Sequence, residues 1–186
     1  MTRLARTLAA IDAANGADPD RSEGTPAARL YGERMTAELE RLFPDASEDL
    51  RIAARGQHIE RWTSPRSAYP EGREGYLAWR RDLAAFHAGR VGEIMSAEGY
   101  GNDAVERVGQ MIRKEGIKRD PEVQALEDVI CFTFLRWYFQ PFAEGRDAGG
   151  LERIVAKTAR KMSAEARARA LKEFDLPAPF AAAFRI

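Results

Sequence analysis

Cysteine occurs once in this chain, at Cys131, so no intramolecular disulfide can form and the sequence reads as that of a reducing compartment, the cytoplasm. The thiol sits in Val-Ile-Cys-Phe-Thr-Phe-Leu, residues 129–135, and such apolar surroundings point to a buried, inert side chain rather than a nucleophile. One cysteine also excludes zinc-finger spacing. Long apolar runs are missing too: no stretch approaches the roughly 20 residues that cross a bilayer. The basic first residues turn at once into acidic, Asn- and Gly-rich sequence, so no signal peptide is expected. Net charge is the next absence. Lys plus Arg and Asp plus Glu number 29 each, and a neutral chain recruits neither nucleic acid nor a membrane by bulk charge. No glycine pattern matches a P-loop or a Rossmann turn, and no nucleophile elbow occurs.

What is present is helical. Of 186 residues, 45% are hydrophobic and 31% charged, enough for one folded domain spanning residues 1–186, with a core over about 8–175. Apolar residues recur at helical spacing and no alternating pattern marks a strand, so the expected fold is an all-α helical bundle. The periodicity predicts helices at about 2–14, 26–43, 46–61, 73–98, 102–116, 121–143, 149–161 and 163–174. Several carry end signals: Ser47 before Glu48, Pro121 after Asp120, Ser163 before the last helix, and Gly99 and Gly101 after the fourth. Residues 15–25 read as a flexible loop, 63–72 as a Pro-rich defined loop, and 175–186 as a tail.

Histidine is nearly absent, and both copies fall on stripes that should face inward. His58 follows Leu50 and Ala54 at four-residue intervals; His87 shares a stripe with Tyr76, Arg80, Leu83, Val91 and Ile94. Asp128 lies similarly with Ala125, Cys131, Phe132 and Leu135. A buried imidazole or carboxylate is costly unless something satisfies it. Taken singly, each reads as a structural side chain bonded to backbone; on three long helices they suggest one shared site. Imidazole can serve as acid or base near neutral pH and a carboxylate can orient it, which makes His58, His87 and Asp128 the catalytic candidates. The same three could hold a divalent metal ion.

Charge is uneven along the chain. Residues 51–81 carry seven Arg against three Glu, and Arg61, Arg66, Arg73, Arg80 and Arg81 alternate with Trp62, Tyr69, Tyr76 and Trp79. Guanidinium forks suit phosphate and carboxylate, while the plainer reading is a solvated face anchored by aromatics.

Taken in order, the motifs Leu-Tyr-Gly-Glu-Arg-Met (30–35), Ala-Ala-Arg-Gly-Gln-His-Ile-Glu-Arg-Trp (53–62), Pro-Arg-Ser-Ala-Tyr-Pro (65–70), Gly-Tyr-Leu-Ala-Trp-Arg (75–80), Phe-His-Ala (86–88), Lys-Arg-Asp-Pro-Glu-Val-Gln-Ala-Leu-Glu-Asp-Val (118–129) and Lys-Met-Ser (161–163) resemble the family called domain of unknown function 4202. More distantly, the order resembles that of the HD-domain phosphohydrolases, all-helical metal-dependent phosphatases and phosphodiesterases. On that resemblance Tyr31 and Arg34 stand where the first histidine and its arginine belong, Gln57-His58 at the His-Asp pair and Asp128 at the distal aspartate. Tyr31 and Gln57 depart from two metal ligands and His58 from an aspartate, so a metal of the usual HD type is not expected.

The resulting expectation is a pocket that binds, and in an enzymatic version hydrolyses, a small phosphorylated or otherwise anionic molecule. Gln57, Arg61, Arg66, Arg80, Tyr31 and Arg34 are its ligand-binding candidates. The alternatives are a non-catalytic ligand-binding or regulatory protein on the same scaffold and, third, an RNA-binding module using residues 61–81.

Overall fold

Short polar side chains start many of the helices, as their chemistry requires. Thr2, Ser47, Asp120, Asp147 and Ser163 each accept a hydrogen bond from a first-turn N–H, satisfying donors that the helix cannot. In the computed structural model, which describes residues 1–144 and 147–185, the chain is all-α apart from one two-residue hairpin. It falls into two compact units, residues 1–116 and 117–186.

The first unit comprises α1 (Arg3–Asn15), α2 (Ala27–Leu42), α3 (Glu48–Gly56), α4 (Gly72–Ala97) and α5 (Asn102–Arg113). Its core holds Ile11, Met35, Leu39, Ile52, Leu83, Val91, Met95, Met111 and Ile112, all essentially buried. Two glycines set the packing distances. A Cβ on Gly56 would come within 2.4 Å of Val91 Cγ2, and one on Gly75 within 1.9 Å of the Pro70 carbonyl oxygen. Gly56 therefore lets α3 close on α4, and Gly75 lets the 65–70 loop lie on the start of α4. Arg55 ties α3 to α1 by a two-pronged pair with Asp12, both bonds 2.6 Å, and to Thr36 of α2 at 3.0 Å.

The second unit comprises α6 (Pro121–Thr133), a π-helical turn (Phe134–Tyr138), α7 (Phe139–Ala143), α8 (Ala148–Lys161), α9 (Ala164–Glu173) and α10 (Ala178–Phe184). Val123, Leu126, Val129, Phe132, Val155, Ala159, Met162 and Phe184 are buried. Cys131 is buried as expected and its thiol is free.

Several boundaries differ from the periodicity, each for a physical reason. The loop at 15–25 holds β1 (Arg21–Ser22) against β2 (Thr25–Pro26); buried Asp18 fixes it by accepting the N–H of Asp20 and of Ala28. The helix expected to run to residue 61 stops at Gly56. Asn15 Oδ1 takes the Glu60 N–H at 2.9 Å and His87 takes the Ile59 carbonyl at 2.7 Å, and these partners outcompete the helical ladder. Glu60 is then left-handed, φ 48°. The long sixth helix is broken at the π turn, which periodicity does not register. The 175–186 tail contains α10, whose Ala181 and Phe184 are buried.

Candidate functional site

The turn that replaces the end of the third predicted helix makes the site. Gln57 and His58 leave α3 as a turn, Arg61 opens a short 3-10 turn (Arg61–Thr63), and Arg80, Leu83, Ala84 and His87 come from α4. The C-terminal end of α5 adds Ile112, Arg113, Lys114 and Glu115. Together these residues line a cavity of about 430 Å³ within the first unit. Lys114 reaches it from a left-handed backbone, φ 61°, a conformation more usual for glycine at a helix end. The Glu115 N–H closes that end on the Gln110 carbonyl at 3.0 Å.

The wall is strongly cationic. Glu115 is the only carboxylate among the described lining residues, and it is held by Arg113 at 2.7 Å. Arg61 and Arg80 have no carboxylate partner among the described residues; Arg61 instead lies 5.0 Å over the Trp79 ring and 3.4 Å from His58 Nε2. Burial and the nearby Arg80 lower the Arg61 pKa below its ordinary value. Two partly buried cations facing one space repel each other unless an anion joins them.

The histidines are adjacent. Their ring centroids lie 5.9 Å apart, and Tyr31 stacks on the outer face of the pair, 4.1 Å from His58 at 18°. Contact chemistry assigns the protons. A carbonyl only accepts, so His87 carries hydrogen on Nδ1 toward Ile59. A guanidinium only donates, so neutral His58 receives Arg61 at Nε2 and keeps its hydrogen on Nδ1. His87 Nε2 is then a bare lone pair, fully enclosed and without a partner. Burial first, and then Arg61 and Arg80, bring the His87 pKa down to about 4, against the pull of the Ile59 carbonyl. His58 is half-exposed at the cavity wall yet packed round by neighbours. Burial, then Arg61, His87, Arg80 and Lys114, hold its pKa well below the ordinary histidine value. Both rings are neutral at pH 7.

Other candidates are placed differently. Arg34 is buried and paired with Glu23 at 2.5 Å. Arg66 donates to the Tyr69 and Pro70 carbonyls at 3.0 and 2.8 Å and so fixes its own loop. Tyr76, assigned to the inward stripe, is 48% exposed, and Trp79 is buried in its stead. Asp128 is buried in the second unit, where Ser163 N–H and the Gln124 amide donate to one of its oxygens at 2.8 and 3.0 Å. Among the described residues no three His, Cys, Asp or Glu side chains gather as a metal ion's ligands would. Arg81, Arg113 and Lys114 were absent from the sequence candidates. Their only signal was the basic Arg-Lys-Glu-Gly run at 113–116, indistinguishable in sequence from an ordinary helix end.

The profile of the family described as domain of unknown function DUF4202 matches residues 5–183. The chain belongs to this family. The match runs through both compact units and takes in every residue of the cavity wall. No curated protein and no solved structure matches the chain. No helix among the described residues is long and apolar enough to cross a membrane.

Proposed function

We propose that this DUF4202 protein binds a small molecule by its anionic group, a phosphate or carboxylate, in the cavity between the 57–61 turn, α4 and α5. One observation carries the reading: Arg61 and Arg80 face the cavity with no carboxylate to neutralise them. A phosphate or carboxylate between the two guanidinium groups replaces their repulsion with charge-assisted hydrogen bonds. Arg81, Arg113 and Lys114 add to the same positive field. The volume falls within the range of small-ligand pockets. A reducing, cytoplasmic location fits the single buried thiol.

A hydrolytic version of the site rests on His87. Its Nε2 lone pair, fixed by the Ile59 carbonyl, is the group able to take a proton from water beside a bound ester. The proposal assigns Asp128 a structural part in the second unit and takes nothing from the metal scheme of HD-type enzymes.

Thermal unfolding with added anions tests the binding reading. A probe at a hundred times its Kd stabilises by about 2.7 kcal/mol, which for a chain of this size raises Tm by roughly 5–10 °C. Methyl phosphate, sugar monophosphates, nucleotides and dicarboxylates at millimolar concentration form the panel. Stabilisation by at least one class, abolished in Arg61→Ala and Arg80→Ala, is the expected result. A flat Tm across the panel sinks the proposal.

A further inference from the structure

The cavity holds two polar atoms that no anion can satisfy. His87 Nε2 and Gln57 Oε1 are both enclosed and both lack a hydrogen-bond donor; their residues are only 3% and 5% exposed, and both line the cavity. The tautomer of His87 is set from outside the cavity by Ile59, so its inner nitrogen accepts and cannot donate. A phosphate dianion or a carboxylate has only acceptor oxygens, and placing it against two acceptors adds repulsion. The guanidinium groups that do suit it, Arg61 and Arg80, belong to the same wall. The cavity therefore has two chemistries: donors that want an anion, and buried acceptors that want O–H or N–H groups. Leaving such acceptors unpaired carries the desolvation cost of each one, whereas a ligand that supplies donors recovers it and is selected against analogues that lack them.

We infer that the ligand is a polyhydroxylated phosphate monoester, its phosphate held by Arg61 and Arg80 and its hydroxyl groups donating to His87 Nε2 and Gln57 Oε1. The inference rests on the anion-binding reading above and narrows it. Inorganic phosphate and simple diacids satisfy only half of the wall. A neutral sugar satisfies only the other half and leaves the arginines opposed. Ribose and hexose monophosphates supply both, and the cavity volume admits them.

Calorimetric titration of the full chain at pH 7.5 separates the two layers of the argument. The probes are methyl phosphate, ribose 5-phosphate and glucose 6-phosphate, matched in phosphate charge. The sugar phosphates are expected to bind at least tenfold more tightly than methyl phosphate. Gln57→Met keeps side-chain length without the carbonyl, and His87→Asn keeps a donor for Ile59 without the inner lone pair. Each is expected to erase most of the sugar advantage while leaving methyl phosphate affinity within twofold. Arg80→Ala is expected to weaken all three probes alike. Equal affinity for methyl phosphate and the sugar phosphates overturns the inference and leaves the anion reading standing. An undiminished sugar advantage in both variants also overturns it. Failure of all three probes to bind removes the phosphate-ester ligand and, with a flat Tm panel, the anion reading beneath it. Circular dichroism and Tm of each variant, compared with wild type, separate loss of fold from loss of contact.

Discussion

Acidification should unfold the first unit through His87 before most carboxylates protonate. In the folded chain its pKa lies at about 4, against an ordinary 6.5. Between these values the unfolded chain binds a proton that the folded chain refuses. The stabilisation is thus complete above pH 6.5 and is lost as pH falls toward 4. At about 1.4 kcal/mol per decade of proton concentration, the whole interval amounts to roughly 3 kcal/mol, and about 2 kcal/mol of it is lost between pH 7 and pH 4.5. That is a large share of a typical domain's stability. His58, also held low, pushes in the same direction, so the perturbation must isolate one ring. His87→Asn removes the titrating group while an amide N–H still faces Ile59. Urea unfolding followed by tryptophan fluorescence suits the measurement, because two of the three tryptophans, Trp62 and Trp79, belong to the first unit. Wild type should lose about 2 kcal/mol more than the variant over that pH range. As there are only two histidines, an NMR titration should show two imidazole signals, both silent at pH 6.5. Parallel stability curves for the two proteins, or a His87 signal titrating near 6.5, would refute the reasoning.

Four further outcomes follow from the same geometry. Arg61→Ala and Arg80→Ala should each weaken binding of a phosphate probe tenfold or more, as loss of a charge-assisted bond does, and should raise the His58 pKa, readable by NMR. Lys114→Gly should relieve a left-handed backbone and stabilise the chain by about 1 kcal/mol in urea while reducing anion affinity. Gly75→Ala drives a Cβ into the Pro70 carbonyl and should cost about 1–3 kcal/mol, with faster proteolysis of the 63–72 loop. Cys131, buried and free, should react with a thiol reagent in the native protein far more slowly than in urea.

Much of this molecule was legible from local chemistry. Helix caps at Ser47, Asp120 and Ser163 announced themselves because a short polar side chain before an apolar stripe has few other uses. The His58–His87 pairing was legible as well, since two inward imidazoles on consecutive segments have little room to avoid each other. What escaped was set by tertiary competition. Nothing local to residues 57–60 reveals that Asn15 and His87 will claim the Glu60 N–H and the Ile59 carbonyl, so the helix appeared three to four residues too long. Lys114 escaped because only its unusual φ, invisible in composition, brings it to the cavity. Asp128 illustrates the converse: its inward stripe was read correctly, but its partners, Ser163 and Gln124, come from its own unit. Arg34 and Arg66 resembled anion ligands because a guanidinium committed to Glu23 or to loop carbonyls looks, in sequence, like any other.

The π turn at Phe134–Tyr138 has a consequence for variation in this family. One such turn holds one residue more than the α-helical path it replaces, so it is a length change absorbed without a loop. Deleting a single residue there would restore a continuous helix from Pro121 onward and rotate everything after it by about 100°. Phe139, which meets Phe134 and Phe180 edge-on at 5.9 and 5.8 Å, would swing away from both rings. Chains one residue shorter at this point should therefore differ in the aromatic positions of α7 and α10 together, a paired change that an alignment scoring each column separately would miss.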